Sequence, residues 1–437
     1  NLVNGLDNTT VGSRNLVNGI GNKTTGIKNS VNGMLNKATG IENQVTGLGN
    51  KAVGDNNEVA GLGNKAIGDN NKVSGMRSGA VGDDNIVSGI RNKAAGDNNN
   101  VTGTDNKIMG DNNQVSGKDN LALGDKATIE GENNTVAGKL NNVSGKDNYV
   151  AGRVNTNTGN SNIANGLYNK VKGDNNIADG RTNEVEGDNN TTYGRTNEVK
   201  GNINTVSGRT NKIVGNTNIA DGTENVVTGH DNIADGRTNE VKGDFNVATG
   251  RTNKVEGKNN LVSGIANKVT ANESLVYGRN NKVEATDGTA VGNDNKVTGE
   301  NSSAFGKGNI AKGNSSAAFG HDNITSGDNS LAMGKENQTT GENSLALGKE
   351  NITDGINSTA VGRDNETTGE RSLALGEGNI AKGKYGVTVG RENKVTGENS
   401  SAFGKGNIAK GNSSAAFGHD NITSGDNSLA MGKENQT

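Results

Sequence analysis

Small or apolar residues alternate with polar ones in a pattern that repeats every seven residues. Val, Ala, Thr and Ile alternate with Asn, Ser and charged residues, and a Gly closes each repeat from Gly5 to Gly432. Of the 62 positions in this series, 60 are Gly, and the exceptions are Ala271 and Ala285. Alternation with a period of two indicates a β-strand, and a regular Gly indicates a turn. Each heptad, x-x-Asn-x-Val/Ala-x-Gly, therefore predicts one strand of about four residues and a Gly-centred turn.

A seven-residue period is also typical of coiled coils, but the composition excludes one here. A Gly in every heptad would cost about 1 kcal/mol each in a helix. The chain also lacks leucines at two seam positions of each heptad, which a coiled coil needs.

Consecutive heptads differ, so the structural period is fourteen residues. One strand of each pair has Ala at its centre, as at Ala52 and Ala66, and is called the alanine strand. The other has Val, as at Val45 and Val59, and is called the valine strand. Two strands and two tight turns in fourteen residues predict one coil of a flat parallel β-solenoid, or β-roll, of all-β class. We expect residues 1–437 to form one continuous array of about 31 such coils.

The strand alternation also predicts which side chains face inward. The Asn or Ser and the Val, Ala or Thr of each heptad share one face, because successive side chains point to opposite sides of a strand. Small residues fit the narrow space between two sheets, so we place them inside. Asn57, Asn71, Asn85 and Asn99 should then form a hydrogen-bonded ladder along the stack.

The outward positions distinguish the two strands. The valine strand is polar outside, as at Lys170, Lys172, Glu184 and Glu186, whereas the alanine strand is apolar outside. A long exposed apolar stripe indicates an interface. Over 165–263 the second outward position of the alanine strand becomes polar, and Ile at the first outward position replaces it. The alternative is that the large residues face inward and the Ser and Ala face out. The predicted subunit-interface residues are Val53, Ile67, Met109, Leu121, Leu123, Ile177, Ile233, Phe305, Phe319, Met333, Leu345, Leu347, Leu373, Leu375 and Phe403.

One block of the array is duplicated. Asn295–Thr339 and Asn393–Thr437 are identical, with an offset of 98 residues, which is seven coils. The array has therefore grown by duplication of whole coils. Because both ends fall within the repeat and show no atypical capping sequence, we expect this to be a segment of a longer fibrous protein.

Composition taken alone would suggest disorder, since only 29% of the residues are hydrophobic and 2% aromatic. The repeat overrides that reading. A net charge of −3 without basic blocks argues against a nucleic-acid partner. Absence of Cys excludes disulfides and thiolate metal sites, and no apolar run is long enough for membrane insertion by this segment.

The sequence predicts no enzyme, no cofactor and no metal site. His230, His321 and His419 each follow a repeat Gly and are far apart, so we interpret them as solvated turn residues. Gly-x-Gly never continues to Gly-x-Gly-x-x-Gly, and Asp-Asn after Gly is ordinary turn chemistry rather than a calcium motif. An ice-binding face would need uniform Thr, whereas the outer face of the valine strand mixes Lys, Glu and Thr.

The repeat resembles a known family. "SLALG", "SAFG", "STAVG" and "SLAMG" alternate with "NIAKG", "NITSG" and "NKVTG", which is similar to the head domain of YadA-like trimeric autotransporter adhesins. The resemblance is strongest over Thr289–Thr437, good over Asn50–Gly124 and weaker between them. It implies a left-handed β-roll, a homotrimer, and display on the outer membrane at a bacterial cell surface. It also implies binding to host extracellular matrix or to other cells.

The expected function is therefore that of an extracellular adhesin head assembled as a trimeric fibre. The alternative is a structural β-solenoid that builds an extracellular filament. Both require self-association, and discrete trimers would favour the adhesin whereas open-ended polymers would favour the filament.

Overall fold

The computed structural model describes residues 1–437, and all of its regular elements are β-strands. The chain divides into two compact units, Asn1–Thr217 and Asn218–Thr437. In each unit the odd-numbered strands form one parallel sheet, the valine sheet, and the even-numbered strands form the alanine sheet. The predicted all-β parallel solenoid is confirmed. Its left-handedness and the continuity of the array between the units stay predictions.

The first unit contains β1 to β31. In chain order they are Leu2–Leu6, Thr9–Ser13, Leu16–Ile20, Lys23–Ile27, Ser30–Met34, Lys37–Ile41, Gln44–Leu48, Lys51–Val53, Glu58–Leu62, Lys65–Ile67, Lys72–Met76, Gly79–Val81, Ile86–Ile90, Lys93–Ala95, Asn100–Thr104, Lys107–Met109, Gln114–Lys118, Leu121–Asp125, Thr128–Glu132, Thr135–Lys139, Asn142–Lys146, Tyr149–Arg153, Thr156–Thr158, Ile163–Leu167, Lys170–Lys172, Ile177–Arg181, Glu184–Glu186, Thr191–Arg195, Glu198–Lys200, Thr205–Arg209 and Lys212–Asn216.

The second unit contains β32 to β62. In chain order they are Ile219–Thr223, Val226–His230, Ile233–Arg237, Glu240–Asp244, Val247–Arg251, Lys254–Lys258, Leu261–Ile265, Lys268–Val269, Leu275–Arg279, Lys282–Val283, Thr289–Asn293, Lys296–Val297, Ser303–Lys307, Ile310–Ala311, Ala317–His321, Ile324–Thr325, Leu331–Lys335, Gln338–Thr339, Leu345–Lys349, Ile352–Thr353, Thr359–Arg363, Glu366–Thr367, Leu373–Glu377, Ile380–Ala381, Val387–Arg391, Lys394–Val395, Ser401–Lys405, Ile408–Ala409, Ala415–His419, Ile422–Thr423 and Leu429–Lys433.

Register within each unit follows the sequence repeat without a shift. Val45 pairs with Val59 in the valine sheet, and Ala52 pairs with Ala66 in the alanine sheet. Each strand thus pairs with the strand fourteen residues further along the chain, which confirms the predicted coil length. Neighbouring strands in a sheet lie about 4.8 Å apart, so equivalent side chains of successive coils stack in columns.

The core is the thin space between the two sheets. Val59 and Ala66 are fully buried, and so is Asn64, which lies between them in the chain. Bulky aromatic residues are absent from this space, and its largest buried side chains are Ile108, Ile129 and Ile213. The predicted inward set is confirmed, and the alternative with the small residues outside is wrong.

Buried asparagines link the coils, as predicted. Asn71 Nδ2 donates to Asn57 Oδ1 at 3.1 Å, and Asn85 Nδ2 donates to Asn71 Oδ1 at 3.0 Å. Asn71 Nδ2 also donates to the carbonyl of Gly82 in a turn at 2.6 Å. The ladder therefore satisfies turn carbonyls that would otherwise lose a partner on burial.

Each turn in the first unit contains two left-handed residues. Gly82 has φ of 115°, and a Cβ there would overlap the carbonyl oxygen of Gly96 in the next coil. Two residues after each repeat Gly, a second residue is left-handed, such as Asn70 with φ of 58° or Ile203 with φ of 60°. Gly is thus required both by the conformation and by the close approach of successive turns.

The valine-sheet turns of the second unit change form after β39. The valine strands shorten to two residues, and repeat glycines there, such as Gly299, no longer have left-handed φ. Ala271 and Ala285 stand where this second form begins, and neither has left-handed φ. The backbone dihedral at the two alanines no longer demands Gly, although at Gly299 in the same turn form a Cβ would still lie 2.0 Å from the Gly313 carbonyl oxygen.

Candidate functional site: the outer face of the alanine sheet

In the first unit the alanine sheet has an apolar column at its second outward position. Val53, Ile67 and Val81 pair in register and stack along the face. Val81 is 47% exposed and Met109 60% exposed. These side chains project from a coil too thin to cover them, because the inner positions are already filled by Ala and Asn.

Further along this unit the apolar column moves to the first outward position. Ile163 pairs with Ile177, while Asn165 and Asp179 occupy the second outward position and are hydrogen-bonded at 3.1 Å. The lateral shift predicted from the sequence is therefore present, and at these coils half of the face is polar.

In the second unit the second outward position of every alanine strand from β42 onward is large and apolar, and in β48, β50, β54, β56 and β62 the first position is as well. Phe305 stacks on Phe319 with ring centroids 5.0 Å apart and planes inclined by 9°. In another coil Leu345 and Leu347 stand side by side on the outer face, and neither is buried by its own chain. At coils of this kind the apolar surface spans both outward positions.

All fifteen predicted interface residues lie on the outside of the alanine sheet. Four are exposed and the rest are half-buried, and none is buried by the chain itself. Their contact with a neighbouring chain stays a prediction. The exposed four are Met109, Leu123, Ile233 and Met333.

The valine sheet is polar where the sequence analysis placed charged residues. Lys170 donates to Glu184 at 2.8 Å, and Lys172 donates to Glu186 at 2.8 Å, so the ion pairs run from coil to coil. The hydrogen bond donated by Lys172 lowers the pKa of Glu186, and the hydrogen bond that Lys170 donates to Glu184 raises the pKa of Lys170. All of these groups are exposed to solvent, so each pair contributes little to stability.

Two apolar columns escaped the sequence analysis. One lies on valine-sheet strands of the second unit, and the other follows the turns that leave the valine strands in the first seven coils. In both columns a large apolar residue recurs every fourteen residues or a multiple of fourteen, and this recurrence is visible in the sequence. The first column is Ile310, Ile324, Ile352, Ile380, Ile408 and Ile422, and the second is Leu6, Ile20, Met34, Leu48, Leu62, Met76 and Ile90.

His321 is less isolated than the sequence suggested. Its Nδ1 lies 2.8 Å from Asp322 Oδ2, and Glu336 of the next coil brings a third possible metal ligand within 4.8 Å. Glu336 also pairs with Lys335 at 3.1 Å. Asp322 therefore already contacts the imidazole, and Glu336 already has a cationic partner in Lys335.

These features define a class of protein: a parallel β-roll with fourteen-residue coils, a polar ladder inside, and apolar columns along the outside of its sheets. The structure contains no helix long and apolar enough to cross a membrane.

Comparison with known families divides the chain. The YadA head domain repeat matches 284–309, 311–337, 326–351, 340–365, 353–379, 381–407 and 409–435. The grass antifreeze beta roll matches 67–166, 91–187 and 171–269. No curated protein matches the chain.

Residues 284–435 are therefore similar to the YadA head domain repeat, which confirms the resemblance noted over 289–437. Within 50–124, where the sequence resemblance was also noted, residues from 67 onward match the grass antifreeze beta roll.

Proposed function

We propose that this chain is the head of a bacterial surface adhesin, in which three copies lie side by side through the outer faces of their alanine sheets. The remaining surface, including most of the valine sheet, faces solvent and contacts host matrix or other cells. The observation that supports this best is the paired apolar columns around Leu345 and Leu347, which their own chain leaves uncovered. YadA-type head repeats over 284–435 agree with this function.

The energy of such an interface is large because it repeats. Fully burying one Leu or Phe contributes about 1.5–3 kcal/mol. Leu345 and Leu347 are half-buried already, so each gains about 1 kcal/mol on assembly. Multiplied over many coils, this makes association close to obligatory and makes an isolated chain prone to aggregate.

The alternative is a structural filament built from the same solenoid. In a side-by-side trimer the contacts between copies close into a ring of three. In a filament the same contact adds further copies without limit. Mass in solution separates the two, because trimers give one discrete species and filaments give open-ended polymers.

The antifreeze match does not carry ice binding to this chain. Over 170–186 the valine sheet presents Lys–Glu ion pairs such as Lys170–Glu184 and Lys172–Glu186, rather than a uniform Thr surface. We propose that this match reflects the shared coil geometry. We also propose a non-enzymatic role, since neither sheet face brings a nucleophile together with a general base.

The test changes the apolar face and, as a control, the opposite sheet. Leu345→Asp with Leu347→Asp places two charges in the proposed interface and should yield monomers or unfolded chain in analytical ultracentrifugation. Ile310→Asp with Ile324→Asp makes the same kind of change on the valine sheet and should leave the trimer intact. A trimer that survives the first pair with an unchanged melting temperature would refute the interface.

A second measurement addresses the adhesive role. The wild-type trimer immobilised on beads should retain extracellular-matrix proteins or whole cells, and Glu184→Lys on the valine sheet should leave the trimer intact. A trimer that binds neither matrix proteins nor cells would favour the structural filament.

A further inference from the structure

The alanine sheet of the first unit carries two charged columns of opposite sign. They belong to a short recurring sequence, Lys-Ala-Val-Gly-Asp at 51–55 and its relatives, in which Lys opens the strand and Asp follows the Gly. Between them lies the apolar column of Val53, Ile67 and Met109. Across this face, the lysine column lies on one side, the apolar column in the middle and the aspartate column on the other side.

The lysine column stands at the first outward position. Lys51 pairs in register with Lys65, Gly79 interrupts the column, and Lys93 pairs with Lys107. None of the four lysines forms an ion pair within the chain, although Asp105, which is paired with Arg91, lines the same groove as Lys93 and Lys107. Like charges stacked about 4.8 Å apart repel each other, so the column is better accommodated next to anions.

The aspartate column lies at the turn that leaves the alanine strand. Asp55 N–H donates to Asp69 Oδ1 at 2.7 Å, Asp69 N–H to Asp83 Oδ1 at 2.7 Å, and Asp83 N–H to Asp97 Oδ1 at 2.7 Å. One carboxylate oxygen thus holds the turn, and Oδ2 has no cationic partner. No Lys or Arg forms an ion pair with any of these four aspartates.

The two columns cannot neutralise each other within one chain, because the apolar ridge separates them. A partner for both must therefore present an anionic column and a cationic column at the same spacing, with apolar residues between. A second copy of this chain has that arrangement. When two copies lie parallel with their alanine sheets facing, the lysine side of one meets the aspartate side of the other.

We propose that, between neighbouring copies, the lysine column over 51–107 pairs with the aspartate column over 55–111, and that this pairing sets the parallel orientation and the coil register of the assembly. The inference rests on the proposed self-association. Over these coils the apolar ridge repeats every fourteen residues and would allow one copy to slide past another. Charged columns of limited length penalise sliding, and antiparallel placement would bring lysines against lysines.

The experiment reverses and then removes charge while leaving the ridge intact. Lys65→Glu with Lys93→Glu in the full chain should weaken association at least about tenfold at low salt, because acidic columns then face acidic columns. Asp69→Asn with Asp97→Asn keeps the turn hydrogen bonds, as Asn202 shows by accepting from the Asp188 N–H at 2.8 Å.

The decisive measurement is whether the two Asp→Asn changes weaken or strengthen association. In the wild-type background the two Asn changes should weaken association a few-fold. In the Lys→Glu background they should strengthen it, because they remove repulsion between Glu and Asp. Sedimentation equilibrium measures all four variants, and the differences should shrink at about 0.5 M salt, where charges are screened.

Two lysines of the valine sheet provide the matched control. Lys242→Glu with Lys268→Glu makes the same charge change on the valine sheet and should leave association unchanged. If the wild type assembles and the Lys65/Lys93 variant assembles equally well, this inference is wrong while the proposed trimer stands. A wild type that is monomeric at all concentrations overturns both. If the Lys changes leave assembly intact but abolish binding to heparin, the column serves a polyanion and this inference fails.

Discussion

Replacing Asn99 by Ala tests whether the asparagine ladder holds the coils together. The Asn99 side chain is 1% exposed. Its Nδ2 donates to Asn85 Oδ1 at 2.9 Å and to the Gly110 carbonyl at 2.8 Å. Its Oδ1 accepts from the backbone N–H of Asn113 at 3.0 Å and from Asn113 Nδ2 at 2.9 Å. Ala removes all four hydrogen bonds and leaves the Asn113 N–H buried without its acceptor.

The expected loss follows from these contacts. A net contribution of about 1 kcal/mol for each hydrogen bond gives a local destabilisation of about 4 kcal/mol. Asn99→Ser should cost about half as much. The reason is visible at Ser78, a natural Ser in the ladder, where Oγ accepts from the Asn92 N–H at 3.3 Å and donates to the Gly89 carbonyl at 3.2 Å.

The measurement has to be local. Solenoid stability is approximately a sum over neighbouring coils, so a global melting curve dilutes the effect of one residue. Amide hydrogen exchange followed by mass spectrometry resolves it. At about 1.4 kcal/mol per factor of ten, exchange over 85–113 should accelerate about a thousandfold in Asn99→Ala.

Coils of the second unit, such as that of Val241, provide the internal control and should be unchanged. If Asn99→Ala accelerates exchange over 85–113 by less than tenfold, or no more than Asn99→Ser does, the ladder does not stabilise the stack and the reasoning fails.

Three further predictions concern the turns and the valine sheet. Gly82→Ala should destabilise the protein by more than about 3 kcal/mol, because its Cβ would overlap the next turn. Gly49→Ala should cost about 1 kcal/mol, because Gly49 has φ of 68° but open space around it. Equal losses of stability in denaturation would contradict this. Ile203→Asn should stabilise by about 1 kcal/mol, because a β-branched residue is strained at φ of 60° and Asn is not; unchanged or faster local hydrogen exchange would refute it. Hydrogen bonds from Lys212 and then Lys200 lower the pKa of Glu198 below its ordinary 4.5, so this stabilisation is present at neutral pH and is lost as pH falls below that value. Glu198→Gln should reduce the loss of stability between about pH 6 and pH 3, and an identical pH profile would show that the ion pair contributes nothing.

The sequence by itself determined the length of the coil and which side chains face inward or outward. A Gly series that never loses its phase and a fourteen-residue period allow only one in-register parallel pairing, as between Val45 and Val59. Once that register is set, strand alternation decides that Asn57 faces inward and that Leu345 faces outward. These features depend on backbone periodicity alone, which is why they could be predicted without coordinates.

Tertiary structure decided the turns and the pairing of charges. The sequence does not show that Gly82 must be left-handed because the Gly96 carbonyl of the next coil approaches it. It also does not show that Lys170 forms an ion pair with Glu184 whereas Lys65 and Asp69 form no ion pair within the chain. Such facts depend on how turns of separate coils approach one another and on which side chains reach across a sheet, and both are set by three-dimensional stacking rather than by the period of the repeat.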